Sequence, residues 1–113
     1  MKSVEKTLPT VTRRMIVQYS GVVQDFNPVH YDDEFAKKAG LQSAIAQGPL
    51  TTLLVLDSLV AEHGADGIAS LSVRLKSPIF PGDNLHLGCD EQGKLSAKVN
   101  DKEVLTGSLL LKD

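Results

Sequence analysis

The first half of the chain carries the hydrophobic spacing and the boundary residues of short α-helices. Thr12 is a natural N-cap for a helix ending near Gly21, because its hydroxyl can accept a free backbone N–H at the helix start. Asp32 or Asp33 can cap a second helix, which stops at Gly40. The pattern therefore predicts two short helices joined by a loop.

A third helix is predicted from Pro49 to about His63. Proline is favoured at the first helical position, where its missing N–H costs nothing. The run that follows is apolar on nearly every side of a helix: Leu50, Leu53, Leu54, Val55, Leu56, Leu59 and Val60. A helix with so few polar positions is expected to be buried.

After Gly67 the pattern changes to the alternation of half-buried β-strands, in which every second side chain points to the same face. Four strands are predicted, around Leu71–Leu75, Leu85–Cys89, Leu95–Val99 and Val104–Leu111. Their short connections favour an antiparallel meander, and helices followed by strands indicate an α+β fold. The third helix is the element able to cover such a sheet.

The composition narrows the possible functions. A chain of 113 residues fits one domain, and a net charge of −2 offers no basic surplus for nucleic acid or an anionic membrane. With one cysteine, Cys89, no internal disulfide can form, and its alternating strand predicts a small core residue. No signal peptide or spanning segment is seen. We expect a cytoplasmic protein without a metal site.

Asp25 and His30 are the candidate chemical groups of the first loop. They lie five residues apart around Pro28, and a turn can fold both side chains onto one water molecule. A carboxylate and an imidazole so placed can act as general acid and base. The alternative is structural, because Asp and Asn are favoured in turns, and Asn27 is expected to hold this turn through its own side chain.

Gln47-Gly48-Pro49 is the second candidate, at the start of the apolar helix. Unpaired backbone N–H groups at a helix start favour negative charge, and Gly48 lets a substrate carbonyl approach closely. The segment could therefore form an oxyanion site. A tight turn into the helix would also need glycine, so this alternative is open.

Four segments together resemble the MaoC-like, (R)-specific enoyl-CoA hydratase (hydratase 2) family. They are Asp25-Phe26-Asn27-Pro28-Val29-His30, Phe35-Ala36, Ala46-Gln47-Gly48 and Val73–Asp83. The resemblance implies a single hot-dog domain over residues 1–113, in which an antiparallel sheet wraps one long central helix. It also implies that Asp25 and His30 act on one water while the Gly48 N–H binds a thioester oxygen. Gln24 and Gln47 depart from the family's usual glycine and histidine.

The implied reaction is reversible hydration of a trans-2-enoyl thioester to an (R)-3-hydroxyacyl thioester, on coenzyme A or acyl carrier protein. Coenzyme A would be part of the substrate, and no separate cofactor is implied. Asn27, Arg74 and Lys76 are candidate substrate-binding residues. Arg and Lys side chains can bind the phosphates of coenzyme A. The alternatives are a non-catalytic hot-dog subunit that completes a partner's pocket, and an acyl-CoA thioesterase.

The short length also predicts a partner. After one helix-covered sheet is built, little of the 113-residue chain is left to enclose an acyl group. We therefore expect a homodimer or larger assembly, or one with a paralogous subunit. The contact is expected through sheet pairing or through the side of the central helix.

Overall fold

The computed structural model describes residues 1–113 and contains three α-helices, α1 (Arg13–Val23), α2 (Asp33–Lys38) and α3 (Gly48–His63). The predicted start signals are confirmed. The Thr12 hydroxyl accepts the N–H of the third helical residue at 3.1 Å, and Asp32 caps α2 through two backbone N–H groups. The third helix begins one residue before the predicted proline.

Five strands form one antiparallel sheet in the order β1-β3-β4-β5-β2. They are β1 (Val4–Thr7), β2 (Ile68–Leu75), β3 (His86–Cys89), β4 (Lys94–Val99) and β5 (Lys102–Leu111). The four predicted strands are present, and β1 is an additional one. It pairs with β3 at one edge of the sheet.

The predicted meander holds for β3, β4 and β5 but is wrong for β2. This strand pairs with β5, with Val73 opposite Gly107, and lies at the far edge of the sheet from β1. The segment between β2 and β3 carries the chain across the molecule. Its Ile79 is 2% exposed, and its backbone carbonyl accepts the N–H of Ala46 at 2.8 Å. Because this crossing is fixed by packing, local patterning did not reveal it.

The core lies between α3 and one face of the sheet. Leu50, Val55 and Leu59 of the helix pack with the inward side chains of β3, β4 and β5, among them the fully buried Leu95 and Leu105. Removing these apolar surfaces from water is the main stabilising contribution. This arrangement confirms the predicted α+β hot-dog fold with its central helix.

Cys89 is buried in the same core, as predicted. Burial raises the pKa of its thiol, and the neighbouring Asp90 carboxylate raises it further. A thiol held in its neutral form is a poor nucleophile. This cysteine therefore serves packing.

The expectation that α3 is buried on all sides is wrong for the single chain. Leu53 is 49% exposed, and Leu54 and Leu56 are half-buried. The five-stranded sheet covers one side of the helix, and part of the opposite side is open. The apolar residues on that side lie at the surface of one chain.

Candidate active site

The loop that follows α1 is shaped by a left-handed turn and a short 3₁₀ turn. The residue after α1 has φ 59°, which directs the chain away from the helix axis. The 3₁₀ turn spans Pro28–His30, and Asn27 caps it by accepting the N–H of Val29 at 3.0 Å. Asn27 thus holds the turn through its own side chain, as its residue type predicts.

The structure brings the side chains of Asp25 and His30 together. The distance from Nε2 of His30 to Oδ2 of Asp25 is 3.3 Å. The other carboxylate oxygen of Asp25 accepts the N–H of Asn27 at 3.2 Å, which fixes the plane of the carboxylate. The carboxylate is 42% exposed and the imidazole 11%, so a small molecule can reach the pair from the carboxylate side.

The second nitrogen of His30 settles which nitrogen carries the proton in the neutral ring. Nδ1 lies 2.9 Å from the carbonyl oxygen of Ile45. Because a carbonyl oxygen only accepts, Nδ1 must be the donor, and Nε2 is then the basic nitrogen facing Asp25. The pair Nε2–Oδ2 can take up one proton and return it, which is the property of an acid–base pair.

The same backbone segment carries Gly48. The N–H of Ile45 donates to the carbonyl of Val29 at 3.0 Å, so residues 45 to 48 run beside the His30 turn. Gly48 lies three positions after Ile45, a distance of at most about 10 Å along an extended chain. Gly48 is the first residue of α3, and its N–H has no acceptor within the chain. A donor of this kind is suited to a carbonyl oxygen that gains negative charge.

The space beside Gly48 is narrow. A Cβ atom at this position would lie 3.2 Å from Cδ1 of Leu75, on the neighbouring edge strand β2. That distance is tighter than an ordinary van der Waals contact, and Leu75 itself is 36% exposed. Glycine therefore leaves room next to the free N–H.

The structure does not bring Arg74 and Lys76 to this pair within one chain. Successive side chains of a strand point to opposite faces, so Leu75 faces Gly48 while Arg74 points outward. Lys76 binds Glu103 at 2.8 Å. The hydrogen bond from Lys76 is the main cause that lowers the pKa of the Glu103 carboxyl below its usual value, and the hydrogen bond from the Ser96 hydroxyl lowers this pKa further. Both cations lie on the sheet face away from α3.

Sequence reasoning missed two groups of the site. One is the backbone carbonyl of Ile45, which no side-chain pattern reveals. The other is the buried side chain of Gln47, which donates to α1 at Ile16 and Ser20. A signal for the second was present, because Ser20 lies four residues after Ile16 and so on the buried face of α1.

Asp33 connects three elements around the site. Its carboxylate accepts the N–H of Ala44 at 3.0 Å and both of its oxygens contact the Arg13 guanidinium at 3.0 to 3.1 Å. The Ala44 N–H, and then Arg13, hold the pKa of this carboxyl below its ordinary value. The start of α1 and the segment before Gly48 are thereby tied to α2.

Asp33→Asn is expected to destabilise the fold at neutral pH, with a loss that shrinks in acid. A lowered folded pKa means that the stabilisation is complete above the unfolded value, about 4, and is lost as the pH falls through the folded value. Urea unfolding of both proteins at pH 7 and pH 3 measures this. Glu34→Gln is the control, because the Glu34–Lys37 pair is exposed. If wild type and Asp33→Asn differ in free energy of unfolding by the same amount at both pH values, the lowered pKa of Asp33 is contradicted.

The other histidines lie away from the pair. His63 is in the last turn of α3, and His86 on β3 contacts the Thr7 hydroxyl at 3.0 Å on the outer sheet face. Three or more His, Cys, Asp or Glu side chains are nowhere grouped closely enough to hold a metal ion. None of the helices has the combination of length and apolar character needed to cross a bilayer.

Curated relatives share part of this chain. A mitochondrial 3-hydroxyacyl-[acyl-carrier-protein] dehydratase of Arabidopsis thaliana is 31% identical over 70 residues, covering 62% of this chain and 42% of that protein. The peroxisomal enoyl-CoA hydratase 2 of the same plant is 31% identical over 84 residues, covering 72% and 26%. The chain thus spans less than half the length of either relative.

One solved structure and one family model each align with nearly the whole chain. One chain of the ChsH1-ChsH2 complex from Mycobacterium tuberculosis superposes with a TM-score of 0.79 at 21% identity, covering 96% of this chain and 92% of that one. This likeness supports the fold. The model of the MaoC like domain matches residues 2–112, which include the Asp25–His30 loop, the Gly48 helix start and all five strands. The chain therefore belongs to the MaoC-like domain family.

Proposed function

We propose that this protein catalyses the reversible hydration of a trans-2-enoyl-CoA to an (R)-3-hydroxyacyl-CoA. The observation that carries the proposal is the contact of His30 Nε2 with Asp25 Oδ2 at 3.3 Å. The segment that holds His30 through the Ile45 carbonyl leads directly to Gly48, whose N–H is free. An acid–base pair next to an oxyanion donor fits addition of water to a thioester-activated double bond. The two plant relatives are named for a hydratase and a dehydratase.

In the hydration direction, a water molecule lies between the substrate β carbon and the pair. Its oxygen forms the new bond to that carbon while one of its protons passes to the Asp25–His30 pair. The electrons of the double bond move to the thioester oxygen, where the Gly48 N–H stabilises the enolate-like charge. The pair then returns that proton to the α carbon and the carbonyl re-forms, so that one water has been added and the pair is restored. Dehydration is the reverse.

Each group has an expected share in this mechanism. Positioned acid–base groups contribute roughly 10²–10⁴ in rate. One oxyanion donor contributes about 2.7–4 kcal/mol, because it is aimed at charge that develops only in the transition state. Ile45 keeps Nδ1 of His30 occupied, so that Nε2 stays available for the water. The reaction needs no further cofactor, since coenzyme A belongs to the substrate.

The proposed acyl carrier is coenzyme A, with acyl carrier protein as the second possibility. Arg74 makes no salt bridge in the chain and is therefore the freer of the two proposed phosphate ligands, since Lys76 is bound to Glu103. Within an assembly, the outer sheet face of one chain can border the site of another. The side-chain oxygen of Asn27 accepts the Val29 N–H at 3.0 Å. Asn27 would therefore contact substrate only through its side-chain NH2 group.

The direct test is loss of the enoyl thioester absorbance with a series of trans-2-enoyl-CoA substrates of increasing chain length, followed by chiral analysis of the product. The proposal predicts saturable hydration and the (R)-3-hydroxy product. A parallel series on acyl carrier protein distinguishes the carriers. If no substrate of either series is hydrated and a partner protein co-purifies, the result would instead support a non-catalytic subunit.

A second chain is proposed to complete the site. Large apolar side chains near it are exposed, among them Phe26 at 58%, Tyr31 at 54% and Leu53 at 49%. The strand β2 also pairs only with β5, so its outer edge carries free backbone groups. Exposed apolar surface and a free strand edge both favour association. A second copy or a paralogous subunit would cover them.

The assembly is expected to sediment with a mass of at least twice that of one chain, which is 12.2 kDa. Because the second chain would supply part of the acyl pocket, hydratase activity should fall as the protein is diluted below its dissociation constant. Sedimentation velocity and activity measured over the same dilution series check this. A fully active species of 12.2 kDa would contradict it.

A further inference from the structure

Gln47 lies directly before the free N–H of Gly48, and it is almost completely buried, at 2% exposure. Its side-chain Nε2 donates to the carbonyl oxygen of Ile16 at 2.9 Å and to the hydroxyl of Ser20 at 2.8 Å. Both acceptors belong to α1. The two hydrogens of one amide therefore join the start of α3 to α1.

Ser20 continues this connection to the acid–base loop. Its side chain is buried, at 5% exposure, and its backbone carbonyl accepts the N–H of Asp25 at 3.1 Å. Ser20 thus connects Gln47 with Asp25 through two hydrogen bonds, one at its hydroxyl and one at its backbone carbonyl. We call this connection the Gln47–Ser20–Asp25 bridge. The contact of Ile45 with His30 ties the same segment to the other member of the pair.

We infer that Gln47 is a positioning residue, which sets the placement of the Gly48 N–H relative to Asp25 and His30 through Ser20. This inference rests on the proposed function. The oxyanion donor and the acid–base pair must act on the same substrate, and a misplacement of about 1 Å can cost about a hundredfold in rate. An amide does not titrate, so the bridge is the same at every pH at which the chain is folded.

Gln47→Leu removes both donated hydrogen bonds at similar side-chain volume. It is expected to lower kcat by roughly tenfold to a hundredfold with little change in KM, because alignment is lost and substrate contacts are kept. Ser20→Ala deletes one acceptor and leaves its backbone carbonyl in place, so a smaller loss in the same direction is expected. In the double variant the two losses should not add, because both remove the same bridge.

Thr51→Val is the matched control. Thr51 lies in the first turn of the same helix at 1% exposure, and its hydroxyl has no hydrogen-bond partner. Valine has nearly the same shape, so kcat should be unchanged and stability equal or higher. The comparison separates loss of the bridge from loss of a buried polar group. The midpoint of urea unfolding of each variant identifies any that fail to fold.

Amide hydrogen exchange gives a readout independent of turnover. The Asp25 amide is expected to exchange roughly fivefold faster in Gln47→Leu and in Ser20→Ala, the change that weakening one hydrogen bond produces, and at the wild-type rate in Thr51→Val. Unchanged Asp25 exchange in both bridge variants would overturn the inference. Wild-type kcat in both variants would also overturn it. An inactive wild-type protein would overturn the proposed function. The Asp25 exchange rates would then be the test of whether the bridge connects Gln47 with Asp25.

Discussion

His30→Ala should lower kcat for enoyl-CoA hydration by about 10²–10⁴, the contribution of a positioned acid–base group. The substitution removes Nε2, which lies 3.3 Å from the Asp25 carboxylate, and with it one member of the proposed acid–base pair. Asp25→Asn should produce a loss in the same range. Its remaining carbonyl oxygen can still accept the N–H of Asn27, so the loop keeps its shape.

The matched control is His86→Ala. His86 is an exposed histidine on β3 whose ring contacts Thr7 on the outer sheet face. Its removal should leave kcat and KM unchanged, which shows that loss of a histidine as such is harmless. Initial rates of absorbance loss measure all three variants. Activity within twofold or so of wild type in both site variants would contradict an acid–base role for the pair, whose removal should cost at least about a hundredfold.

The second large effect is expected at the Gly48 N–H. Gly48→Pro deletes this donor, and proline is tolerated at the first helical position because no intrahelical bond is lost there. Removing one oxyanion donor costs about 10²–10³ in kcat. The preceding residue has φ −65° and ψ 139°, the extended conformation that a following proline favours. The helix start should therefore persist in the variant.

Gly48→Ala separates the donor from its surroundings. Alanine keeps the N–H and adds the Cβ that lies 3.2 Å from Leu75, a contact the proline ring shares. Crowding should thus appear in both variants, and loss of the hydrogen bond only in the proline variant. We expect a much smaller kcat for the proline variant than for the alanine variant. Equal rates in the two variants would show that the N–H does not bind the thioester oxygen.

The helices could be predicted because their start signals are local. The Thr12 and Asp32 caps and the proline of α3 act within one turn of the helix that they begin. The strand β1 gives a weaker signal. It has four residues, and only Val4 and Lys6 are half-buried. Its partner β3 lies more than 70 residues away in the chain, so pairing and not pattern makes it a strand.

Strand order could not be read from patterning for a similar reason. Alternation shows which residues face the core, but it is the same whether β2 pairs with β3 or with β5. The choice depends on where the Lys76–Leu85 connection packs, and its Ile79 is buried beside the Ala46 segment. Long-range contacts of this kind leave no periodic trace in the sequence.

The chemistry-bearing side chains of the site could be named from residue types and their spacing. The proline turn between Asp25 and His30 does bring the two together, and Gly48 does begin a helix. Their supporting contacts could not be predicted. The carbonyl that orients His30 belongs to the backbone of Ile45, and the amide of Gln47 reaches α1 across 27 residues of chain. Such contacts follow from the tertiary fold.

The proposed hydration is tested most directly by recording enoyl absorbance and free thiol in the same sample. Because the proposed reaction adds water to the double bond and leaves the thioester bond intact, absorbance should fall to an equilibrium value with no thiol released. Starting from the (R)-3-hydroxyacyl-CoA, the same equilibrium should be reached from the other side. Release of free coenzyme A in step with substrate loss, without reversible water addition, would contradict the account and indicate a thioesterase.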